Sequence, residues 1–369
     1  MIDLKAIYFL IFNKRKETEN AENRFIFEQY REKVDLDKGF IIIDGLGTIE
    51  GELIGADVSA FGELVFTTSP SGYIKSLTDP SYKGQILVFS FPYIGAYGTE
   101  EKGESSRVMA NGAIFSHVPQ LKKEELSKFL KDQNVPGLII ENTRKIVDYI
   151  RKYGNKLGAI GMTDLIDPYK NNLVDEALWE NRKEGKADIL VVDLGIKGNI
   201  LEFLNDLKLD VIPYKEFKNG IWENYKGIVI SNGPGDPSHE KLKSFGIEIQ
   251  NVIGKKPILG ICLGHQLISL YSGLETFKMK FGHRSINHPV LDLKTEKFGI
   301  TTHNHGFSVK FQEGHNLDLR FQSLNDGSVE GLMGDKLLTV QFHPEGGPGP
   351  RDELGIFNDF RRMMGIEHK

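Results

Sequence analysis

Short apolar runs separated by Gly, Pro and Asp define the pattern of residues 40–160. Runs rich in β-branched and aromatic residues predict strands at 40–43, 64–66, 86–89 and 136–140. Apolar residues recur with helical spacing at about 122–132 and 143–153. This mixture of strands and helices predicts a compact N-terminal α+β domain over residues 39–165.

A different pattern begins at residue 188. Residues 188–193 form a continuous apolar run that ends in Asp193, which is typical of a strand buried on both faces. Further strands are predicted at 210–213, 227–231 and 257–261, with helices at 200–207 and 242–253 between them. Alternation of this kind predicts an α/β domain with a mostly parallel central sheet over residues 187–369.

Two polar segments flank the first domain. Residues 1–38 combine a short apolar patch with a polar tract, and we interpret them as an N-terminal extension without an assigned function. Residues 166–186 are also polar, and they are interpreted as the linker between the two domains.

Composition excludes several classes of function. The formal net charge is −5 with Lys and Arg spread along the chain, so no basic footprint for nucleic acid is present. The single cysteine excludes an internal disulfide and a cysteine-based zinc site. The apolar run at 6–12 is too short to span a bilayer, and no cleavage site follows it. We therefore expect a cytoplasmic protein without membrane or nucleic-acid partners.

The single cysteine lies in the sharpest motif of the chain. Residues 260–264 read Gly-Ile-Cys-Leu-Gly between a predicted buried strand and an apolar helix. This is the cysteine counterpart of the Gly-x-Ser-x-Gly elbow, in which a strained turn exposes the nucleophile. The flanking glycines leave space where a β-carbon would collide with the turn or the substrate.

The position of Cys262 also favours its reactive form. A helix N-terminus stabilises a thiolate, and the Leu263 amide points to where an oxyanion would form. The alternative is that Cys262 is a small buried hydrophobe, the commoner fate of a free cysteine. The strand, the glycines and the helix around it favour catalysis.

A thiol nucleophile requires a base that a third group orients. A predicted strand at 337–342 leads directly into His343, with Glu345 two positions further on. Side chains at i and i+2 of an extended chain project to one side. Glu345 can therefore accept from one imidazole nitrogen while the other nitrogen faces Cys262.

Other histidines allow a metal hypothesis. His283 with His288 and His303 with His305 form two close pairs. Neither a cysteine nor a His-Glu-x-x-His helix accompanies them, so the sequence favours no metal site on this chain. His265 follows the elbow, and we expect it to have a packing or hydrogen-bonding role.

Read together with the Gly-Pro-Gly loop of residues 233–235, the elbow and the His-Pro-Glu motif closely resemble class I glutamine amidotransferases over about residues 187–365. The resemblance implies a Cys-His-Glu triad at Cys262, His343 and Glu345. It also implies that Gly233 supplies the second oxyanion amide and that Gly235 lies beside the substrate.

A second resemblance, to carbamoyl-phosphate synthase small subunits, runs from about residue 40 to the end. The motifs that carry it lie at 77–82, 93–95, 278–283 and 304–307. It implies that Ser81 of the first domain helps to line the glutamine pocket. The implied glutamine contacts are Ser81, Leu263, Gln266, Asn304, Gly306 and Phe307. Departures from the family pattern are Ala96 for a usual Asn, Asn142 for Asp, Ser285 for Gly and His303 for Gln.

The resemblance implies that the chain hydrolyses glutamine through a thioester and delivers ammonia to a large synthetase subunit. That subunit would make carbamoyl phosphate from bicarbonate and ATP for arginine or pyrimidine biosynthesis.

The glycines at 45–51 do not have dinucleotide-loop spacing, and no P-loop is present. No cofactor is therefore expected on this chain, and ATP with its metal ion is expected on the partner. The alternatives are a glutaminase subunit of another pathway, such as anthranilate or guanylate synthesis, and a non-catalytic docking or regulatory subunit.

Overall fold

The computed structural model describes residues 38–366 except 163, 184 and 186. The interpretation of the N-terminal extension falls on residues outside this range, apart from Lys38. Within the described range, seven strands close into a barrel in the order β1-β2-β6-β5-β4-β3-β7. The strands are β1 Lys38–Ile43, β2 Gly47–Gly55, β3 Ala60–Thr67, β4 Gln85–Phe89, β5 Gly112–Phe115, β6 Pro136–Ile139 and β7 Lys156–Ile160.

Three helices accompany the barrel: α1 Tyr73–Thr78, α2 Gln120–Asp132 and α3 Thr143–Tyr153. The helix predicted at 143–153 is confirmed, and its ends have local causes. The Asn142 side chain accepts from the Lys145 amide, and Gly154 ends the helix with a φ of 85°. The glycine-rich stretch near 45–51 lies at a turn into β2, so no helix follows it.

The second half of the chain contributes a nine-stranded sheet in the order β13-β12-β14-β15-β16-β11-β10-β8-β9. Pairing is parallel among β9, β8, β10, β11 and β16, and antiparallel among the other strands. The strands are β8 Ile189–Asp193, β9 Leu209–Pro213, β10 Gly227–Ile230, β11 Ile258–Ile261, β12 Glu275–Asp292, β13 Lys297–Lys310, β14 Asp318–Ser323, β15 Val329–Gly334 and β16 Leu337–Val340. The predicted α/β class is confirmed.

The remaining helices are α4 Leu173–Ala177, α5 Gly198–Phe203, α6 Lys243–Val252, α7 Leu263–Tyr271 and α8 Gly355–Met363. The helix predicted at 200–207 is shorter than expected. The Leu207 amide donates to the Leu204 carbonyl in a turn that returns the chain to β9. In the described ranges, no helix is both long enough and apolar enough to cross a membrane.

The parallel strands are covered on both faces, as the run at 188–193 predicted. Leu190 and Val192 of β8 pack into one hydrophobic cluster, whereas Ile189 and Val191 pack into the cluster on the opposite face. Continuous apolar sequence is required because each successive side chain enters a core. This rigid central region holds the carboxyl ends of β8, β10 and β11 at one edge.

The polar stretch at 166–186 contributes packed structure as well as a connection. Leu173 and Val174 of α4 are buried, and Val174 belongs to a core cluster of the nine-stranded sheet. Tyr169 donates its hydroxyl to Glu63 Oε2 of β3 at 2.7 Å. This segment therefore contacts both the barrel and the nine-stranded sheet.

A matched pair of leucine substitutions tests the position of this core. Leu259 of β11 is fully buried, whereas Leu121 of α2 is 96% exposed. We expect Leu259→Ala to lower the free energy of unfolding by about 2–5 kcal/mol, because a cavity remains between packed layers. Leu121→Ala should change it by less than about 0.5 kcal/mol. Urea unfolding would measure both, and equal effects would contradict this packing.

Candidate active site

Cys262 occupies a strained turn between β11 and α7. Its backbone has φ 53° and ψ −104°, in a region that non-glycine residues rarely adopt. A β-carbon at Gly264 would lie 2.1 Å from the Ile230 carbonyl oxygen, and one at Gly260 would lie 2.5 Å from Ile268 Cδ1. Gly260 therefore allows the close approach of β11 and α7, and Gly264 allows α7 to approach the neighbouring strand β10.

The Cys262 thiol lies inside the protein at the start of α7. Its side chain is nearly fully buried, and Sγ lies 3.7 Å from the Asn304 carbonyl oxygen. Leu263 is the first residue of the helix, so its amide has no partner within the helix. The free amides at this helix end and the dipole of α7 favour negative charge near the sulfur.

His343 and Glu345 form a buried hydrogen-bonded pair. His343 Nδ1 donates to Glu345 Oε1 at 2.8 Å. The other nitrogen, Nε2, is buried and makes no hydrogen bond within the described ranges, and the nearby Cys262 sulfur interacts with the imidazole. The pair thus interacts with Cys262 on one side of the imidazole and with Glu345 on the other, although neither His343 nor Glu345 lines the pocket that contains Cys262.

The local geometry of this pair differs from the prediction. A strand does not lead directly into His343, because β16 ends at Val340. His343 instead donates its amide to the Thr302 carbonyl at 2.8 Å, and the Gly346 amide donates to the His343 carbonyl at 3.1 Å. A turn, rather than extended i and i+2 geometry, brings Glu345 to the imidazole.

Electrostatics favour the charged form of this histidine. Burial alone would lower the pKa of His343, but the Glu345 carboxylate outweighs it and raises the pKa to about 10. Burial would likewise raise the pKa of Glu345, but the charges of Lys197 and His343 lower it overall. These shifts favour an imidazolium beside an ionised carboxylate.

Lys197 is a functional candidate that the sequence analysis missed. Its side chain is 1% exposed, and Nζ lies 3.2 Å from Glu345 Oε1. It also donates to the carbonyls of Gly346 and Gly347 at 3.1 and 2.8 Å. Its only sequence signal is its place shortly after β8, at the carboxyl edge where sites of parallel sheets form.

The Gly-Pro-Gly loop lies directly after β10. A β-carbon at Gly233 would lie 2.1 Å from the Leu194 carbonyl oxygen, and Gly235 has a φ of 99°. Asn232 Nδ2 donates to the Gly195 carbonyl at 2.9 Å and to Ser81 Oγ at 3.1 Å. The loop is thereby fixed both to its own sheet and to the barrel.

Ser81 enters the site from a short 3₁₀ turn after α1, Pro80–Tyr82. Its amide donates to Asp79 Oδ1 at 2.9 Å, while Asp79 Oδ2 accepts from Asn304 Nδ2 at 3.1 Å. Asp79, which the analysis did not select as a site residue, therefore links the barrel to β13.

One pocket collects most of the predicted residues. Its lining is Ser81, Gln85, Tyr169, Gly233, Pro234, Gly235, Cys262, Gln266, Arg284, Asn304, His305, Gly306 and Phe307. Leu263 is the exception among the predicted glutamine contacts, because its side chain belongs to the core and only its backbone faces the elbow. Five lining residues were not predicted from the sequence. Gln85, Tyr169 and Arg284 lie outside the motifs, whereas Pro234 and His305 lie within them but were not assigned to the glutamine pocket.

Two further residues have clear local roles. Gln266 donates Nε2 to the Phe307 carbonyl and to Gln341 Oε1, both at 3.0 Å, which fixes its amide in the pocket wall. His265 Nδ1 lies 2.8 Å from Thr339 Oγ1. Burial lowers the pKa of His265 to about 3, so it stays neutral, and its expected hydrogen-bonding role is confirmed.

Comparison with known families and relatives agrees with both halves of the structure. The model of the glutamine amidotransferase class-I family matches residues 190–363. The model of the carbamoyl-phosphate synthase small chain, CPSase domain, matches residues 41–160.

Curated relatives match almost the whole chain. The carbamoyl phosphate synthase small chain of Saccharolobus solfataricus is 39% identical over 366 residues, which cover 90% of this chain and 99% of that protein. The arginine-specific small chain of Bacillus subtilis is 38% identical, with 89% and 97% covered. A solved glutamine amidotransferase from Thermotoga maritima shares 20% identity over 48% of this chain and 85% of its own, with a TM-score of 0.37.

Replacing Glu345 by Gln tests the electrostatics of the pair. The variant should lower the pKa of His343 by about 1–3 units, because burial still opposes the charge and its partner is lost. NMR titration of isotope-labelled histidine would measure this shift. Glu345→Asp, which keeps a carboxylate, is the matched control. An unchanged pKa in Glu345→Gln would contradict this electrostatic pairing.

The same shift predicts a pH dependence of stability. The pKa of His343 is raised from 6.5 to about 10 in the folded protein. The proton on His343 therefore contributes fully to the free energy of unfolding below pH 6.5, and this contribution is lost as pH rises toward 10. The stability difference between the parent protein and Glu345→Gln should therefore shrink across this window. Urea unfolding from pH 6 to 10 would show it, and a difference that grows with pH would oppose the assignment.

Proposed function

The chain belongs to the carbamoyl-phosphate synthase small-chain family, as its glutamine-hydrolysing subunit, and from this premise we propose that Cys262, His343 and Glu345 carry out the hydrolysis. The observation that supports this most is the buried hydrogen bond between His343 and Glu345 beside a thiol held in a strained elbow. No other cysteine exists in the chain to take the nucleophile's place.

In the first half-reaction, the Cys262 thiolate attacks the side-chain amide carbon of glutamine. A carbon–sulfur bond forms, and the carbonyl electron pair moves to oxygen, where the amides of Leu263 and Gly233 hold the negative charge. The His343 imidazolium donates its proton to the amide nitrogen. The carbon–nitrogen bond then breaks, which releases ammonia and leaves a glutamyl thioester.

In the second half-reaction, neutral His343 takes a proton from water. The resulting hydroxide attacks the thioester carbon, the same amides hold the oxyanion, and the carbon–sulfur bond breaks. Glutamate leaves, and the thiolate and imidazolium are restored. Glu345 orients the imidazole and stabilises its charge in both steps, while Lys197 keeps Glu345 ionised.

Recognition of glutamine draws on both sheets. Gln266 of α7 and Asn304, Gly306 and Phe307 of β13 offer one wall, and Ser81 offers a hydroxyl from the short turn after α1. Gly235, with no side chain, leaves room beside the substrate. A pocket built from two sheets can sense their relative position, which gives a partner subunit a route to influence hydrolysis.

The product imposes a physical requirement on the partner. Ammonia must reach its acceptor unprotonated, because ammonium has no lone pair for attack. We therefore propose that a large synthetase subunit docks on this chain and receives ammonia through a route closed to solvent. That subunit would bind bicarbonate, ATP and its metal ion, and the pair would act in the cytoplasm for arginine or pyrimidine biosynthesis.

The alternatives from the sequence analysis receive less support. A glutaminase subunit for another pathway would not require the small-chain domain that matches residues 41–160. A docking subunit with a decayed site would not require the intact hydrogen bond from His343 to Glu345.

Substitution of the nucleophile separates the two activities. In the complex with its large subunit, Cys262→Ala should abolish glutamine-dependent synthesis of carbamoyl phosphate, because no thioester can form. Synthesis from added ammonium should remain within about twofold of the parent, since that chemistry requires no thiol on this chain. Product assays with each nitrogen source measure both, and survival of glutamine use would falsify the assignment.

A serine substitution tests whether the barrel takes part in binding. Ser81→Ala should raise the KM for glutamine by about 2- to 10-fold through loss of a hydrogen bond worth roughly 0.5–1.5 kcal/mol. Ser59→Ala is the matched control, because Ser59 lies on the barrel but is exposed and outside the pocket. Steady-state glutaminase kinetics measure both variants, and identical KM values would remove Ser81 from the binding site.

A further inference from the structure

Four side chains converge beside the glutamine pocket, and one of them, His305, also lines it. Each offers one ligand atom, and these atoms all lie within 4.8 Å of one another. The residues are His283 of β12, His303 and His305 of β13, and Glu330 of β15. The proposed hydrolysis uses none of them as an acid, base or nucleophile.

Hydrogen bonds fix which nitrogens of two of these histidines carry protons. His305 Nδ1 lies 2.8 Å from the Phe307 carbonyl, which only accepts, so Nε2 has a lone pair. His303 Nε2 lies 2.7 Å from Thr301 Oγ1, whose own proton goes to the His288 carbonyl at 2.9 Å. His303 Nε2 must therefore donate, and its Nδ1 has a lone pair. These two lone-pair nitrogens lie 3.2 Å apart.

The other two groups point lone pairs to the same place. His283 Nε2 donates to Asp326 Oδ2 at 3.0 Å, which leaves a lone pair on Nδ1. That nitrogen lies 3.3 Å from Glu330 Oε1, and Glu330 Oε2 lies 3.5 Å from His303 Nδ1. Within the described residues, His283 Nδ1 and Glu330 Oε2 are buried without a hydrogen-bond partner, and the Glu330 side chain is fully buried.

Facing lone pairs repel unless a cation lies between them. We propose that His283, His303, His305 and Glu330 bind one divalent transition-metal ion, with zinc as the best match. In a tetrahedral zinc site with bonds of about 2.05 Å, neighbouring ligand atoms lie about 3.3 Å apart. Three separations, of 3.2, 3.3 and 3.5 Å, are close to that value, and the last two end on different oxygens of Glu330. The four ligand atoms lie within 4.8 Å of one another, so metal binding would draw them closer together.

A proton alone explains the arrangement less well. A charged His283 would pair with Asp326 and Glu330 on its two sides. It would leave the lone-pair nitrogens of His303 and His305 facing each other at 3.2 Å. A metal ion satisfies all four groups at once, and zinc accepts both imidazole and carboxylate ligands.

The hydrogen bonds around the three histidines are of the kind that orient metal-binding histidines. Each ligand histidine donates its second nitrogen to a fixed acceptor: a carboxylate for His283, a hydroxyl for His303 and a backbone carbonyl for His305. Such partners hold the ring and its tautomer in place before the metal binds.

His288 lies beside this cluster but is not a ligand. Its Nδ1 accepts from Asn325 Nδ2 at 3.3 Å, and its Nε2 donates to Ser323 Oγ at 2.9 Å. Its ring packs at a tilt against those of His283 and His303, with centroids 4.3 and 4.2 Å away. The ligands thus come from both histidine pairs noted in the sequence, together with Glu330 from a distant strand. This proposal departs from the sequence expectation of no metal on this chain.

The position of the site suggests its effect. His303 and His305 flank Asn304, whose carbonyl accepts from the Cys262 thiol and whose side chain donates to Asp79. A metal with four protein ligands has no open position, so its role is structural. It would hold β12, β13 and β15 together and fix the strand that forms one wall of the glutamine pocket.

The experiment uses the full-length chain with any affinity tag removed. After exposure to zinc and desalting, elemental analysis should find one zinc per chain, and competition with a chromophoric chelator should give its affinity. His303→Gln should weaken zinc binding by more than about 100-fold. Gln is the usual family residue at this position, so this variant should fold. His117→Gln, which removes an exposed histidine of the barrel, is the matched control and should keep the zinc.

Two further measurements separate a structural metal from a surface ion. Zinc should raise the Tm of the parent, of His117→Gln and of Cys262→Ala, but not that of His303→Gln or Glu330→Gln. Cobalt in place of zinc should give the strong visible absorption of a tetrahedral site. The proposal is wrong if zinc is substoichiometric and does not shift the Tm, if His303→Gln binds like the parent, or if cobalt gives no tetrahedral spectrum. Because Cys262→Ala keeps every metal ligand, failure of this proposal and failure of the proposed hydrolysis remain distinguishable.

Discussion

A single buried carboxylate organises the candidate active site. Glu345 Oε1 accepts from His343 at 2.8 Å and lies 3.2 Å from the Lys197 ammonium, and both cations are themselves almost fully buried. An isolated charge at this depth would be strongly unfavourable, so the three groups depend on one another. The arrangement determines the charge on the imidazole and also fixes the turn at 346–347, because Lys197 donates to both of its carbonyls.

The second constraint is the joining of two sheets around one pocket. Ser81 and Asp79 come from the barrel, whereas Asn232 and Asn304 follow or belong to strands of the nine-stranded sheet. Hydrogen bonds between these side chains bring the barrel to the sulfur. The nine-stranded sheet provides the nucleophile and its base, and the barrel completes the pocket.

Local sequence predicted much of this fold because its causes lie within a few residues. The apolar run at 188–193 predicted a strand covered on both faces, and the Asn142 cap and Gly154 mark the ends of α3. Predictions failed where distant contacts determine the backbone. His343 forms an antiparallel bridge with Thr302 and the chain turns directly after it, and α5 ends early because the chain must return to β9.

The sequence by itself predicted the elbow, because Gly-x-Cys-x-Gly between a strand and a helix is a local motif. Gly260 approaches Ile268 and Gly264 within that unit, whereas Gly264 approaches the Ile230 carbonyl of the neighbouring strand β10. The sequence also places His343 and Glu345 two residues apart, so that their side chains can meet in a turn as well as in a strand. Only the tertiary structure decided that Lys197 lies beneath Glu345, that Tyr169 and Arg284 line the pocket, and that four side chains from three strands meet at one point. Spacing along the chain encodes contacts within an element, whereas strand order and register determine which separate elements meet.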